Sequence, residues 1–210
     1  AASDVYKRQV VIEASESETG MIASRIGCES DAKYAIQITN VGSGYSRLTD
    51  DFLYNAWNFE GQEVFKRADK AMAQASADVL DQAGMSLEDV KLVVPHQANK
   101  RILDALAKRI GISEDKVFVN VHKYGNTSAG TIPVALTEAL EEGRIKPDDH
   151  ILMASFGAGL TYGAGLIKWS NRVIPLTTSD AELPPCEKTG LEIIASHVDR
   201  YKKHSLESVS

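Results

Sequence analysis

A chain of 210 residues, 43% hydrophobic and 25% charged, has an ordinary globular composition and can bury a core as one or two domains. A net charge of −6 argues against nucleic acid, whose backbone demands a basic footprint, and no apolar run approaches the length needed to cross a bilayer. Two cysteines far apart in sequence, Cys28 and Cys186, argue against a disulfide scaffold or a structural zinc site and fit a reducing cytoplasm.

Residues 1–9 do not fit the pattern of the chain after them. They lack the apolar core of a signal peptide and read as a non-native junction. Residues 10–60 read as linking strands and a loop. Apolar and polar positions alternate to about residue 40, broken at Glu18-Thr-Gly20 and Asp31, and an aromatic, loop-like stretch with Trp57 and Phe59 covers 45–60. From Gly61 the series Val64, Phe65, Ala68, Ala71, Met72, Ala75, Val79, Leu80, Ala83 predicts a long amphipathic helix ended by Gly84 as C-cap. Ser86 with Asp89 predicts a capped turn before a strand at 91–94.

A helix is expected over 98–110, closed by Gly111. A strand at 117–121 and a helix over 128–142, closed by Gly143, come next, with Pro133 in the first turns where its missing N–H costs little. Strands at 150–154 and 162–169 complete the pattern, joined through glycines. This order is α/β, with parallel crossovers and a closing antiparallel pair. Beyond Trp169, Pro175, Pro184 and Pro185 punctuate a linker to a helix near 191–203 with a stripe of Leu191, Ile194, Ala195 and Val198. The 170–210 extension reads equally as packed on the body or as a loose appendage.

Three polar clusters sit where strands run out: Pro95-His-Gln-Ala-Asn99, Gly125-Asn-Thr-Ser-Ala129 and Phe156-Gly-Ala-Gly-Leu-Thr-Tyr-Gly163. Alone, His96 reads as a structural histidine and Asn126 as part of a turn capping the next helix. Together they offer two donors for one carbonyl oxygen and a glycine segment whose backbone N–H groups a substrate can approach. A dinucleotide-binding reading of Gly157–Gly163 fails, because the third glycine is one residue late and a strand comes after it.

With Gly61-Gln-Glu-Val-Phe-Lys66, these motifs make the stretch from about Val10 to Trp169 resemble the C-terminal half of β-ketoacyl-acyl carrier protein synthase III, a thiolase-fold condensing enzyme. The resemblance implies an α/β, layered half-fold with a mixed sheet and crossover helices, the N-terminal half being absent. Residues 61–169 would be the catalytic half. It implies decarboxylative Claisen condensation of acyl-coenzyme A with malonyl-acyl carrier protein in a cytoplasmic homodimer, with no metal and no cofactor beyond the thioester substrates. His96 and Asn126 match the catalytic donors, and the backbone of Ala158 matches an oxyanion donor. Gly61, Phe65, Asn99 and Phe156 match positions lining the pantetheine tunnel of coenzyme A. Lys66, Arg101, Lys108 and Arg109 match positions that receive acidic acyl carrier protein.

On the residues alone, the four cations Lys100, Arg101, Lys108 and Arg109 against Asp104 also read as a solvated helix face with Asp104 paired to Lys108. The family's nucleophile is a cysteine at a helix N-terminus in the other half. Cys28, followed by Glu29 and Asp31, and Cys186, beside Glu187, are poor substitutes. The chain is therefore expected to be an inactive truncation. A related thiolase-fold acyltransferase of secondary metabolism, or an inert fragment keeping pantetheine and carrier-protein contacts, stay open as alternatives.

Overall fold

The computed structural model of the chain describes residues 10, 12, 14, 16–38, 57–174, 187–195 and 198. The residue 1–9 junction, the loop before Trp57, the linker prolines and Cys186 lie outside them. The chain divides into one unit over Ala1–Ile174 and a second over Pro175–Ser210.

In the first unit a four-stranded sheet runs in the order β1-β6-β5-β4, with β1 at Gly20–Cys28, β4 at Leu92–Pro95, β5 at His150–Gly157 and β6 at Thr161–Lys168. β4 and β5 are parallel; β5 with β6 and β6 with β1 are antiparallel. A two-stranded ribbon joins β2, Ile36–Ile38, to β3, Trp57–Phe59, so part of the stretch expected to be a loop is a strand. Helices α1, Gly61–Ala83, and α2, Lys100–Ile110, pack together; α3 is a single turn, Val121–Tyr124, and α4 spans Thr131–Glu141.

Strand alternation divides the core between two faces. Val93, Leu152, Ala164 and Leu166 point to one side and pack with Ala75, Val79 and Leu80 of α1 and Ala107 of α2. Leu92, Val94 and Ile151 point to the other and pack with Ala135 and Ala139 of α4. Two covered faces explain why β4 and residues 151–154 of β5 are uninterrupted apolar runs.

Gly84 ends α1 and Gly111 ends α2 in the left-handed region, as the sequence predicts. Ser86 N–H and Oγ both donate to the Asp89 carboxylate, which holds that carboxyl below its usual pKa. The helix expected over 128–142 divides into a 3₁₀ turn, Ser128–Gly130, and α4, a tightening common at helix starts. β5 runs on to Gly157, past the expected end at 154.

The expected strand at 117–121 is absent. It reduces to one parallel bridge, Val93 to Val117, and the bond from Phe118 N–H to Val93 O, after which the chain turns into α3. Pro95 has no N–H to continue the ladder to Phe118 O, and Gln97, 1% exposed, takes the groups beyond it. Its Nε2 donates to Phe118 O at 3.0 Å, and its Oε1 accepts from the N–H groups of Asn120 at 2.9 Å and Val121 at 3.2 Å. One carboxamide takes the backbone groups a longer ladder would need.

In the second unit residues 190–195 and 198 are helical, and Thr189 and Glu192 form a reciprocal cap. Among the described residues no helix is long and apolar enough to cross a membrane.

Candidate active site

Because β4 and β5 are parallel, their C-terminal ends share one edge of the sheet, the edge where α/β folds place ligands. His96 follows β4 directly, its N–H bonded to Ala154 O of β5 at 2.8 Å. A cleft of ≈ 780 Å³ opens there. His96, Asn99, Asn126, Phe156, Gly157 and Ala158 all line it, so five of the residues singled out in the sequence meet at one place together with a glycine of the same segment. Gly61 and Phe65 are not among its lining residues. Phe65 instead packs on Ala68, Met72, Ile102 and Leu106, while its neighbours Val64, Ala68 and Met72 form that wall of the cleft.

His96 is partly buried, and its Nδ1 lies 2.6 Å from Thr131 Oγ1 at the start of α4. Burial lowers the ring's pKa from its ordinary value, favouring neutral imidazole. Asn126 is exposed in the cleft, and its Oδ1 accepts the N–H of Ser128 at 2.9 Å. That Asx-turn is the cap-like turn the sequence allowed, and it leaves the amide N–H₂ as the group free to donate. Gly125 before it has φ 66 and ψ −165, a backbone state that suits glycine.

The loop carrying Asn126 is fastened at its base. Asn120 Nδ2 donates to Glu138 of α4 at 2.8 Å, and Lys123 pairs with the same carboxylate. The Lys123 bond, with the Asn120 bond, holds Glu138 below the usual carboxylate pKa. Gln97 also donates to Pro95 O at 2.9 Å, so one side chain ties the end of β4 to residues 118–121. Sequence reasoning missed Gln97 and Thr131 as supporting residues. The signals available were an amide inside Pro95–Asn99 and a hydroxyl at the start of an apolar helix.

Asn99 caps α2, accepting Ile102 N–H on its Oδ1 at 3.0 Å, which leaves its N–H₂ beside the cleft. Ala158 is exposed on the turn between β5 and β6, where its carbonyl accepts from Thr161 Oγ1 at 3.0 Å. Gly159 has φ 139, and a Cβ there would stand 2.7 Å from Thr161 Cγ2 and 2.9 Å from Thr161 N, so a side chain does not fit.

The cations divide. Lys66, Arg101 and Lys108 are exposed and have no acidic partner among the described residues. Arg109 donates to Asp69 of α1 at 2.6 Å, and Arg67 is held by Glu29, Asp31 and Glu63. Asp104 pairs with Lys100 rather than Lys108. Cys28 is exposed at the end of β1, opposite Thr161, and is not among the residues lining the cleft.

A parallel strand pair with a histidine at one strand end, an asparagine brought to the same cleft by a loop, and a glycine-rich antiparallel turn beside them form half of a thiolase-like fold. Residues 80–169 match the family described as 3-oxoacyl-[acyl-carrier-protein (ACP)] synthase III C terminal. The β-ketoacyl-[acyl-carrier-protein] synthase III 2 of Vibrio cholerae is 45% identical over 198 residues, 94% of this chain and 55% of that protein. The crystal structure of 3-oxoacyl-[acyl-carrier-protein] synthase III from Aquifex aeolicus superposes with a TM-score of 0.65 at 42% identity, over 74% of this chain and 46% of that one. The synthase III of Thermus thermophilus gives 0.67 at 37%, over 75% and 48%. These matches support a β-ketoacyl-acyl carrier protein synthase III with a thiolase-like fold, and the chain spans about half the length of the curated relatives it matches.

Proposed function

We propose that the chain supplies the decarboxylating half of a fatty-acid-initiating condensing site. Malonyl thioester loses carbon dioxide, and the electron pair released collects on the thioester oxygen. Donors aimed at that oxygen stabilise the transition state more than the ground state. The His96 imidazole N–H and the Asn126 amide N–H₂ fill that role. The carbon nucleophile then attacks an acyl thioester on a cysteine carried by the preceding half of the fold, with the Ala158 backbone N–H as one donor to the tetrahedral oxyanion, and the cysteine thiolate leaves. Acyl-coenzyme A and malonyl-acyl carrier protein are the substrates. The single observation that carries this reading is that His96 and Asn126 line one cleft at the ends of β4 and β5.

Asn99 and Phe156 bind the pantetheine arm, and Gly61 and Phe65 support its tunnel from α1, whose Val64, Ala68 and Met72 form that wall of the cleft. Lys66, Arg101 and Lys108 form the patch for acidic carrier protein, and Arg109 joins it with one side committed to Asp69. The active protein is a cytoplasmic homodimer. Residues 10–60 link the two halves, 61–169 form the catalytic half, and 170–210 are an extension. The 210-residue chain alone turns nothing over, since neither Cys28 nor Cys186 is the nucleophile; acylation of either by acyl-coenzyme A, read by intact mass, would overturn that statement.

The test joins the preceding half of the Vibrio cholerae relative to residues 10–210. In that fusion His96→Ala or Asn126→Ala should lower condensation by roughly 10²–10³, the usual cost of one oxyanion donor. Self-acylation from acyl-coenzyme A should survive better, and equal loss of both half-reactions would show that the roles are wrong.

A further inference from the structure

A neutral imidazole has one hydrogen, on Nδ1 or on Nε2, and the atom that carries it decides whether His96 offers a donor to the cleft. Thr131 is 2% exposed, and its Oγ1 lies 2.6 Å from His96 Nδ1. Two arrangements satisfy that distance. Either the hydroxyl donates to Nδ1, or Nδ1–H donates to the hydroxyl oxygen and the hydroxyl hydrogen must find another acceptor. Thr131 Oγ1 has no second partner among the described residues, and a buried hydroxyl with an unused hydrogen is strongly disfavoured. In the first arrangement the buried hydroxyl hydrogen is used, and the one hydrogen left over is the Nε2–H of a ring that lines the open cleft.

The geometry points to Thr131 as a positioning residue that donates its hydroxyl to Nδ1 and thereby fixes His96 as the Nε2–H tautomer, turning a donor toward the cleft. The same bond sets the plane of the ring, because Thr131 sits on the first residue of α4 and His96 on the end of β4. Asn126 lies on the loop between α3 and α4, so the hydroxyl that orients the histidine belongs to the helix the asparagine loop leads into. Burial of the ring works in the same direction by keeping it neutral, with one hydrogen to place. What the Nε2–H donor does rests on the proposed decarboxylation; which nitrogen carries the hydrogen does not.

The experiment is long-range ¹H–¹⁵N correlation on the ¹⁵N-labelled 210-residue chain above neutral pH, with the His96 ring assigned by its loss in His96→Gln. Nε2 should appear protonated, and Nδ1 unprotonated with its resonance displaced by an accepted hydrogen bond. Thr131→Val, which keeps the shape and removes the hydroxyl, should abolish that displacement and let the Nδ1–H tautomer appear; Thr131→Ser should restore the wild-type pattern. A protonated Nδ1 in the wild type overturns the proposal outright, even if Thr131→Val fails to fold. An Nδ1 resonance unchanged in a folded Thr131→Val also overturns it. Should the fusion keep full condensation in His96→Ala while these spectra come out as expected, the catalytic reading falls and the tautomer assignment stands.

Discussion

His96 and Asn126 reach the same cleft by opposite routes. His96 ends a buried strand and is held by a hydroxyl 35 positions away in sequence, inside the protein. Asn126 sits exposed on a loop and is held by its own neighbour two positions on. For the histidine, tertiary packing decides the chemical state: burial keeps the ring neutral and a distant threonine faces one nitrogen. For the asparagine, the local turn decides which half of the amide is spent on the backbone and which is left over. A site that must place two donors on one atom thus combines a rigid partner with a locally folded one, and both depend on Gln97 beneath them.

That common support is where the comparison breaks most sharply. Gln97→Ala strips partners from the Phe118 carbonyl and the Asn120 and Val121 N–H groups at once, and a buried group left unmet costs about 1–3 kcal/mol. Urea unfolding of the 210-residue chain should show a loss of at least about 3 kcal/mol, and a loss under about 1 kcal/mol would show that water replaces the amide. Gly125→Ala acts on the asparagine side alone. A side chain at φ 66 and ψ −165 carries strain of order 1–3 kcal/mol, so unfolding should move by that amount while the His96 ring resonances stay in place.

The next test separates holding from donating. Asn126→Asp keeps the oxygen that accepts Ser128 N–H and removes the amide donor, so stability should change by less than about 0.5 kcal/mol while condensation in the fusion falls as far as in Asn126→Ala. The smallest effect sharpens the histidine side. Its folded pKa lies below the ordinary 6.5, so above that pH the ring is neutral whether the chain is folded or unfolded, and stability is complete. As pH falls below about 6.5 the unfolded chain takes up a proton that the folded one refuses, and stability drops until the depressed folded value is reached. The slope is at most about 1.4 kcal/mol per pH unit. His96→Gln should remove this contribution and flatten the stability profile over that window, and a profile parallel to wild type would contradict it.

Much of this was legible in the residues, for reasons that are local. The periodicity of α1, the glycines closing α1 and α2, and the Ser86–Asp89 turn are short-range signals, and the structure repeats them. Residues at strand ends could be gathered into one cleft because parallel crossovers put those ends on one edge. The strand expected at 117–121 fails although its β-branched run carries the right pattern, because the neighbouring strand ends in a proline with no N–H and the Gln97 side chain, more than twenty positions upstream, occupies the next backbone groups. Thr131 escaped notice for the same reason: nothing in the sequence near it names a histidine on another element. Phe65 shows the converse, since a matching motif residue can face the core while its neighbours form the cleft wall.

The carboxamide of Gln97 has a further consequence for how the molecule comes apart. Where a strand is held by a ladder, its amides open one by one from the end; here the Asn120 and Val121 amides hang on a single side chain rooted at the end of β4. They become exposed to solvent hydrogen exchange only when that root lets go, so they belong to the same cooperative opening unit as the strand behind them. The asparagine loop therefore has no loosened state of its own at its base, and breathing of this region takes the histidine's strand end with it.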